Sequence, residues 1–335
     1  MTGKLANPRL WAGAVATAVL AITPTAAATS ERLSANSPQW SAWGRLITFW
    51  SGDRLWMMNA DGTARRPIAR SYGDDVPSLS PDGSMVADVI IGSNDRSGVL
   101  VIRQPGGQVY KRLRFRAPNP EAFGEAQWAP NEHAIAWYGD AGRGDRIWVT
   151  NLCNRVRLIG RIWDSAPAWS PDSRRIAFLA QGRLATMAPD GSHRRTLLRR
   201  FSLGARAPVW SPDGRAIAFA REFQQGPLEG EGRLAIYVVR PDGSGLRRLA
   251  QTPHMGTVSY SLAWSPKSDQ IVWADPRGIY AVVVRTGRKR RLTSMTASGE
   301  LVDTEVAWSP AQRILFTDYG RIYTVLPGGR PVRIL

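Results

Sequence analysis

Short apolar runs separated by tight polar turns recur along almost the whole chain, and one stretch shows the unit they build. Ala207-Pro208-Val209-Trp210 reads as a short strand leading into the turn Ser211-Pro212-Asp213-Gly214. In that turn proline presets φ, and Asp-Gly accepts the positive φ that branched side chains resist. Arg215-Ala216-Ile217-Ala218-Phe219-Ala220 alternates polar and apolar residues at period two, which predicts a second strand. Leu234-Ala235-Ile236-Tyr237-Val238-Val239 is an apolar third strand, Asp242-Gly243 a second hairpin turn, and Leu246-Arg247-Arg248-Leu249 the start of an outer fourth.

The first turn returns in degenerate form at Trp40, Leu79, Trp128, Trp169, Trp264 and Trp308, so the seven starts are separated by 39, 49, 41, 41, 54 and 44 residues. The second turn recurs as Asp61-Gly62, Gly106-Gly107, Asp190-Gly191 and Gly328-Gly329. A unit of this length cannot bury its own apolar faces and must stack on its neighbours. The pattern predicts an all-β β-propeller of seven four-stranded blades, with units starting near residues 36, 74, 123, 164, 205, 259 and 303. Six blades is the alternative if the Leu79 copy, which lacks the tryptophan, is not a full blade. The repeated tryptophans are expected to wedge between neighbouring blades, where a large ring buries much apolar area. The ring is expected to close by packing the first blade on the last, or by using residues 29–36 as a clasp.

These residues resemble the TolB-type propeller repeat, roughly Pro-x-Trp-Ser-Pro-Asp-Gly, then Ile-Ala-Phe, Ile-Tyr, Asp-Gly and an Arg-Arg-Leu-Thr-like end, over about residues 36–335. The resemblance implies the fold and no single activity, because this repeat occurs in many unrelated proteins. TolB-type proteins place a small α/β domain before a six-bladed ring, and no segment before Trp40 is expected to form one. The resemblance also raises hydrolase-linked propellers and exported lyases with metal-binding histidines in the channel.

Residues 1–28 read as a Sec-type signal peptide: Lys4 and Arg9 in a positive n-region, an apolar run over residues 10–22, and Ala26-Ala27-Ala28 as an A-x-A cleavage site. That run is short for a membrane span. The expectation is a secreted or periplasmic protein with a single propeller domain over residues 29–335, no stable membrane insertion and a monomeric state. Cys153 is the single cysteine, so no internal disulfide can form. The formal charge is +17, and +15 once Lys4 and Arg9 are removed. Basic pairs at Arg65-Arg66, Lys111-Arg112, Arg194-Arg195, Arg247-Arg248 and Arg290-Arg291 fall on the outermost strand of each unit, where charge blocks edge-to-edge pairing. The charge is therefore read as spread around the rim, and nucleic acid is not an expected partner. An anionic envelope polymer is a secondary candidate.

Long excursions at residues 116–123, 223–232 and 251–259 share one face, which is read as the binding side. Around its channel mouth the alignment places Asp74, Asp164 and Asp303, with Asp75, Glu125 and Glu305 nearby and Arg206 and Tyr260 at matching places. Three readings stay open for the carboxylates: capping of strand starts or pairing with Arg206, a mouth that binds a basic protein or peptide, and a site for a divalent cation in the channel. Catalytic chemistry is sparse. His133, His193 and His254 fall in different units without metal-ligand spacing, and no G-x-S-x-G elbow occurs. The expectation is a non-catalytic protein-binding module without a cofactor, with no catalytic and no metal residues assigned. The alternatives are a polysaccharide lyase or hydrolase using His254 and the acidic mouth, and a scaffold binding envelope polymer through its basic rim.

Overall fold

The computed structural model describes residues 36–41, 44–70, 78–91, 97–116, 126–140, 145–153, 155–161, 166–180, 183–199, 208–224, 232–253, 261–275, 278–294, 306–318 and 320–335. They belong to the compact unit Leu33–Leu335. Their strands form seven antiparallel four-stranded sheets, each with its strands in chain order. Residues 36–70, 78–116, 127–161, 168–198, 209–253, 262–294 and 306–333 make blades 1 to 7 of a β-propeller. The copy without tryptophan is a full blade, with strands Ser78–Leu79, Val86–Ile91, Ser97–Arg103 and Val109–Arg116. The ring therefore has seven blades.

Alternation along the second strand of each blade assigns its two faces. Ile271 and Trp273 of blade 6 pack on Ala218 and Ala220 of blade 5, and Ile217 and Phe219 of blade 5 pack on Ala177 and Leu179 of blade 4. Large residues face the preceding blade and small ones receive them from the next. Within five blades the large aromatic stacks on an aromatic of the third strand: Phe49–Trp56, Trp137–Trp148, Phe219–Tyr237, Trp273–Tyr280 and Phe316–Tyr323, at centroid distances of 5.4–6.5 Å.

The repeated tryptophans bolt the ring as well as fill it. Each indole N–H of Trp128, Trp169, Trp210 and Trp264 donates to a carbonyl of the preceding blade's inner strand, on Ser78, Gln127, Ala168 and Val209, at 3.0–3.2 Å. Trp40 and Trp308 occupy the same position with their indole N–H groups unpartnered. Closure is face to face: Ile47, Phe49 and Met58 of blade 1 pack on Leu315, Ile322 and Leu335 at the other end of the chain. Arg65 adds a bond from its guanidinium to the carbonyl of Ile334 at 2.8 Å. Among the described residues no sheet mixes strands from both chain ends.

Two expectations needed revision. The excursions at residues 223–232 and 251–259 are partly strand, because the blade 5 ladder continues through Phe223↔Arg233 to Gln224↔Gly232 and through Leu234↔Thr252 to Arg233↔Pro253. The basic pairs do more than guard an edge. Lys111 donates to the carbonyl of Leu152, Arg195 to that of Asp242 and Arg247 to those of Val284 and Arg285, each on the next blade.

Candidate functional site: the two faces of the ring

In each blade the turn after the inner strand and the turn after the third strand emerge on one face, and the remaining connections on the other. Asp74, Asp75, Glu125, Asp164, Arg206, Tyr260, Asp303 and Glu305, together with His254, lie outside the described residues. The frame from which two of them extend is described. Ala126, directly after Glu125, is fully buried in the contact between blades 2 and 3. Val306, directly after Glu305, donates its N–H to Ser261 Oγ of blade 6 at 2.6 Å. Among the described residues, no three His, Cys, Asp or Glu side chains converge as a metal site. His133 and His193 are exposed in turns of blades 3 and 4, and Cys153 is an exposed free thiol.

The opposite face consists of turns locked by a recurring serine and aspartate. Ser211 Oγ accepts the N–H of Ala216 and donates to Asp213 Oδ1, which also accepts the N–H of Arg215, at 2.6–3.0 Å. The same lock holds Ser80 with Asp82 and Ser170 with Asp172. Burial raises the Asp82 and Asp213 carboxyls, but the serine and backbone donors outweigh it and leave both below the ordinary value. Asp172 is lowered chiefly by the Ser170 hydroxyl. The outer turns repeat the device: Thr63, Ser192 and Ser244 donate to Asp61, Asp190 and Asp242 and lower them.

The fourth residue of the inner turn is left-handed in every blade: Gly44, Gly83, Glu132, Ser173, Gly214, Ser268 and Gln312 have φ of 58–80°. Where serine stands there, its hydroxyl clasps the preceding blade. Asn131 N–H donates to Ser173 Oγ at 3.0 Å, and Asp213 N–H donates to Ser268 Oγ at 3.1 Å. Between blades 4 and 5 the position is Gly214, so that step has no hydroxyl clasp. A cleft of about 560 Å³ opens there, lined by Pro171, Pro212, Arg175, Arg215 and Arg240. A second cleft of about 570 Å³ shares Arg175 and Pro241 with it and adds Arg174, Arg194 and Arg195. Sequence reading missed this feature. Its signal was present as Gly214 between Ser173 and Ser268 in the flanking repeats, and as arginines concentrated in two consecutive repeats.

The contact between blades 1 and 2 also departs from the rest. At the aromatic position of the second strand blade 2 has Asp88, which is 1% exposed. Arg103 Nη2 lies 2.5 Å from Asp88 Oδ2, while Asp88 Oδ1 and Arg103 Nε are buried without partners. Burial pushes the Asp88 carboxyl up against the opposing pull of Arg103. The buried apolar contact around it is reduced to Leu55, Met57 and Ile68 with Val86.

No protein-family model matches the chain, and no curated protein matches its sequence. Solved structures do match it. A chain of the mitotic checkpoint complex is 14% identical, with a TM-score of 0.61 over 87% of this chain and 89% of that one. An oligogalacturonate lyase in complex with manganese is 16% identical, with a TM-score of 0.60 over 88% and 86%. TolB from Acinetobacter baumannii is 15% identical, with a TM-score of 0.49 over 90% and 84%. At these identities the likeness is one of fold. By its architecture the chain is a seven-bladed β-propeller, built from a repeat that resembles the TolB type.

Proposed function

We propose that the protein is an exported, non-catalytic binding module that engages a protein or peptide on the long-loop face of its propeller. The observation that carries this reading is the contrast between the faces. Turns on one side are fixed by the same Ser–Asp lock in blades 2, 4 and 5, whereas connections on the other vary in length and contain the acidic candidates. A bolted ring fixes the strand ends from which such connections start, and a pre-set frame lowers the ordering cost of binding. Propellers of similar fold include a chain from the mitotic checkpoint complex, which works in a protein assembly. Asp74, Asp164, Glu125, Asp303 and Glu305 would supply charge complementarity to a basic segment, with Tyr260 as an apolar anchor and Asp75 and Arg206 beside them.

The test compares residues 29–335 with a variant carrying Asp74→Ala, Asp164→Ala and Asp303→Ala, by crosslinking capture from an extracytoplasmic extract. A partner bound by the first and lost from an equally stable second supports the reading. A variant that captures the same partners rejects it, and a large fall in melting temperature would make the carboxylates structural. The lyase reading rests on fold likeness to oligogalacturonate lyase. Incubation with polygalacturonate and manganese separates it: formation of an unsaturated product would replace the binding-module reading.

A further inference from the structure

We infer that the two linked clefts between blades 4 and 5 form a groove for a linear anionic polysaccharide whose sugar units carry a carboxylate or a phosphate. The groove lies on the turn face, away from the long-loop mouth, and does not depend on that mouth binding anything.

Charge defines the ligand. Arg174, Arg175, Arg194, Arg195, Arg215 and Arg240 line the clefts against Asp172, Asp213 and Asp242, so six cations oppose three anions and leave an excess of three. Among the described residues none of the six arginines is in a salt bridge. The three carboxylates are held by serine hydroxyls and backbone N–H groups of their own turns. All six arginines are exposed. Guanidinium forks match carboxylate and phosphate oxygens in bidentate fashion.

Shape narrows the class further. The clefts share Arg175 and Pro241, so a chain can run through both. Arg195 bridges them to blade 5 through the Asp242 carbonyl, and Arg194 is held over the Phe178 ring at 5.2 Å. Pro171, Pro212 and Pro241 supply an apolar surface for the C–H face of a sugar ring. Nucleic acid fits poorly. Two aromatic rings line the clefts: Trp210 is packed against the core between blades 4 and 5 with its N–H bound to Ala168, and His193 is a small imidazole tied to the Ser192 hydroxyl at 2.8 Å. Neither cleft presents the row of large exposed aromatic faces on which successive bases stack.

Gly214 lines the cleft, and a Cβ there would lie 3.9 Å from Pro171 Cδ on its opposite wall, which supplies a charge-neutral test. Ser173 and Ser268 hold the equivalent positions at φ 59° and 58°, so serine tolerates the φ of 69° at Gly214. Gly214→Ser would bring a hydroxyl toward the Asp172 N–H and narrow the cleft. Binding of a polygalacturonate oligomer is measured by calorimetry with a chelator present, on wild type, Gly214→Ser, Arg175→Gln/Arg215→Gln/Arg240→Gln, and the control Arg112→Gln/Arg114→Gln/Arg116→Gln on blade 2. The groove triple variant should bind about tenfold or more weakly, the equivalent of a lost charge-assisted hydrogen bond. Gly214→Ser should also bind more weakly, and the blade 2 control should bind as wild type. Equal losses in both triple variants, or unchanged binding by Gly214→Ser, would overturn the groove. Binding of the methyl-esterified oligomer, of poly-glutamate or of single-stranded DNA as tightly as polygalacturonate would overturn the assignment to an anionic polysaccharide.

Discussion

Replacing one member of the Asp88–Arg103 pair should cost far more than replacing both. The aspartate is 1% exposed, and its link to Arg103 is a single contact of 2.5 Å. At an effective dielectric constant of 20 this separation gives about 6–7 kcal/mol of attraction. Desolvation opposes it at several kcal/mol per ion, and the upward displacement of the Asp88 carboxyl says that desolvation has the larger effect on that group. Desolvation therefore offsets the attraction at Asp88. Removing Asp88 alone, as Asp88→Leu, strands Arg103 in the blade 1–2 contact and should cost about 3–5 kcal/mol. The low end is expected because the Arg103 side chain keeps 16% exposure and can reach water.

Asp88→Leu with Arg103→Met should restore the apolar contact and fall between neutral and about 4 kcal/mol more stable than wild type. Urea denaturation of the four members of the cycle at pH 7, with m values compared, measures the coupling. Additive losses in the double variant would refute the reasoning. The pH dependence is a second check. A carboxyl raised above its unfolded value of 3.8 contributes stability that is full below that value and is lost as pH rises through the folded value. Arg103→Met takes away the opposing pull and widens that window upward, so its deficit should shrink as the pH is lowered from 7 towards 4.

Three further outcomes are expected. Gly243 has φ 83°, and a Cβ there would lie 2.9 Å from the Leu197 carbonyl oxygen, whereas Gly328 at φ 93° has open space. Gly328→Ala should cost about 1–2 kcal/mol for left-handed backbone alone, and Gly243→Ala more than that by urea midpoint. Trp264→Phe should cost about 1 kcal/mol more than Trp308→Phe, since one indole N–H has a carbonyl partner and the other has none at similar burial; equal losses would demote the bolt to packing. Asp172 is lowered from 3.8, chiefly by the Ser170 hydroxyl, so its stabilisation is present above that value and lost as pH falls through the folded one. Acid titration of Asp172→Asn should show a shallower loss below about pH 4 than wild type.

The architecture was legible because a blade repeats its instructions. Trp210 in front of Ser211-Pro212-Asp213-Gly214 fixes an inner strand, a turn and a wedge within five residues, and the chain states this seven times. Even the copy with Leu79 folded as its neighbours do, since the alternation Val86–Ile91 and the third and fourth strands were intact. What a single sequence could not give was the meaning of departures from the repeat. Asp88 drew no reading from the sequence; the strand pairing shows that it sits where five other blades stack an aromatic pair. Arg194-Arg195 looked like edge protection, yet one guanidinium stitches blade 4 to blade 5 and the other rests on Phe178.

Repeat proteins invite a particular inference from such departures. In a ring of equivalent contacts each repeat position is tested seven times, so a residue that breaks the pattern changes one contact while six preserve the fold. That makes local exceptions cheap for the scaffold, and they are where function can be added. The step at Gly214 fits this logic by its contrast with the two flanking steps, since Gly44 and Gly83 share the glycine itself: the fourth turn residue adopts the same left-handed φ whether it is glutamate, serine, glutamine or glycine, so glycine is not demanded by the backbone. Its effect is on the neighbour, where a hydroxyl clasp seen on either side is missing and an arginine-lined cleft takes its place. The same comparison applied to blade 2 gives a different kind of exception. Asp88 and Arg103 face inward, with partnerless atoms and no described opening, and alter stability without offering a surface. Exposure therefore separates the two departures: the buried one should answer to denaturant and pH, the open one to an anionic ligand.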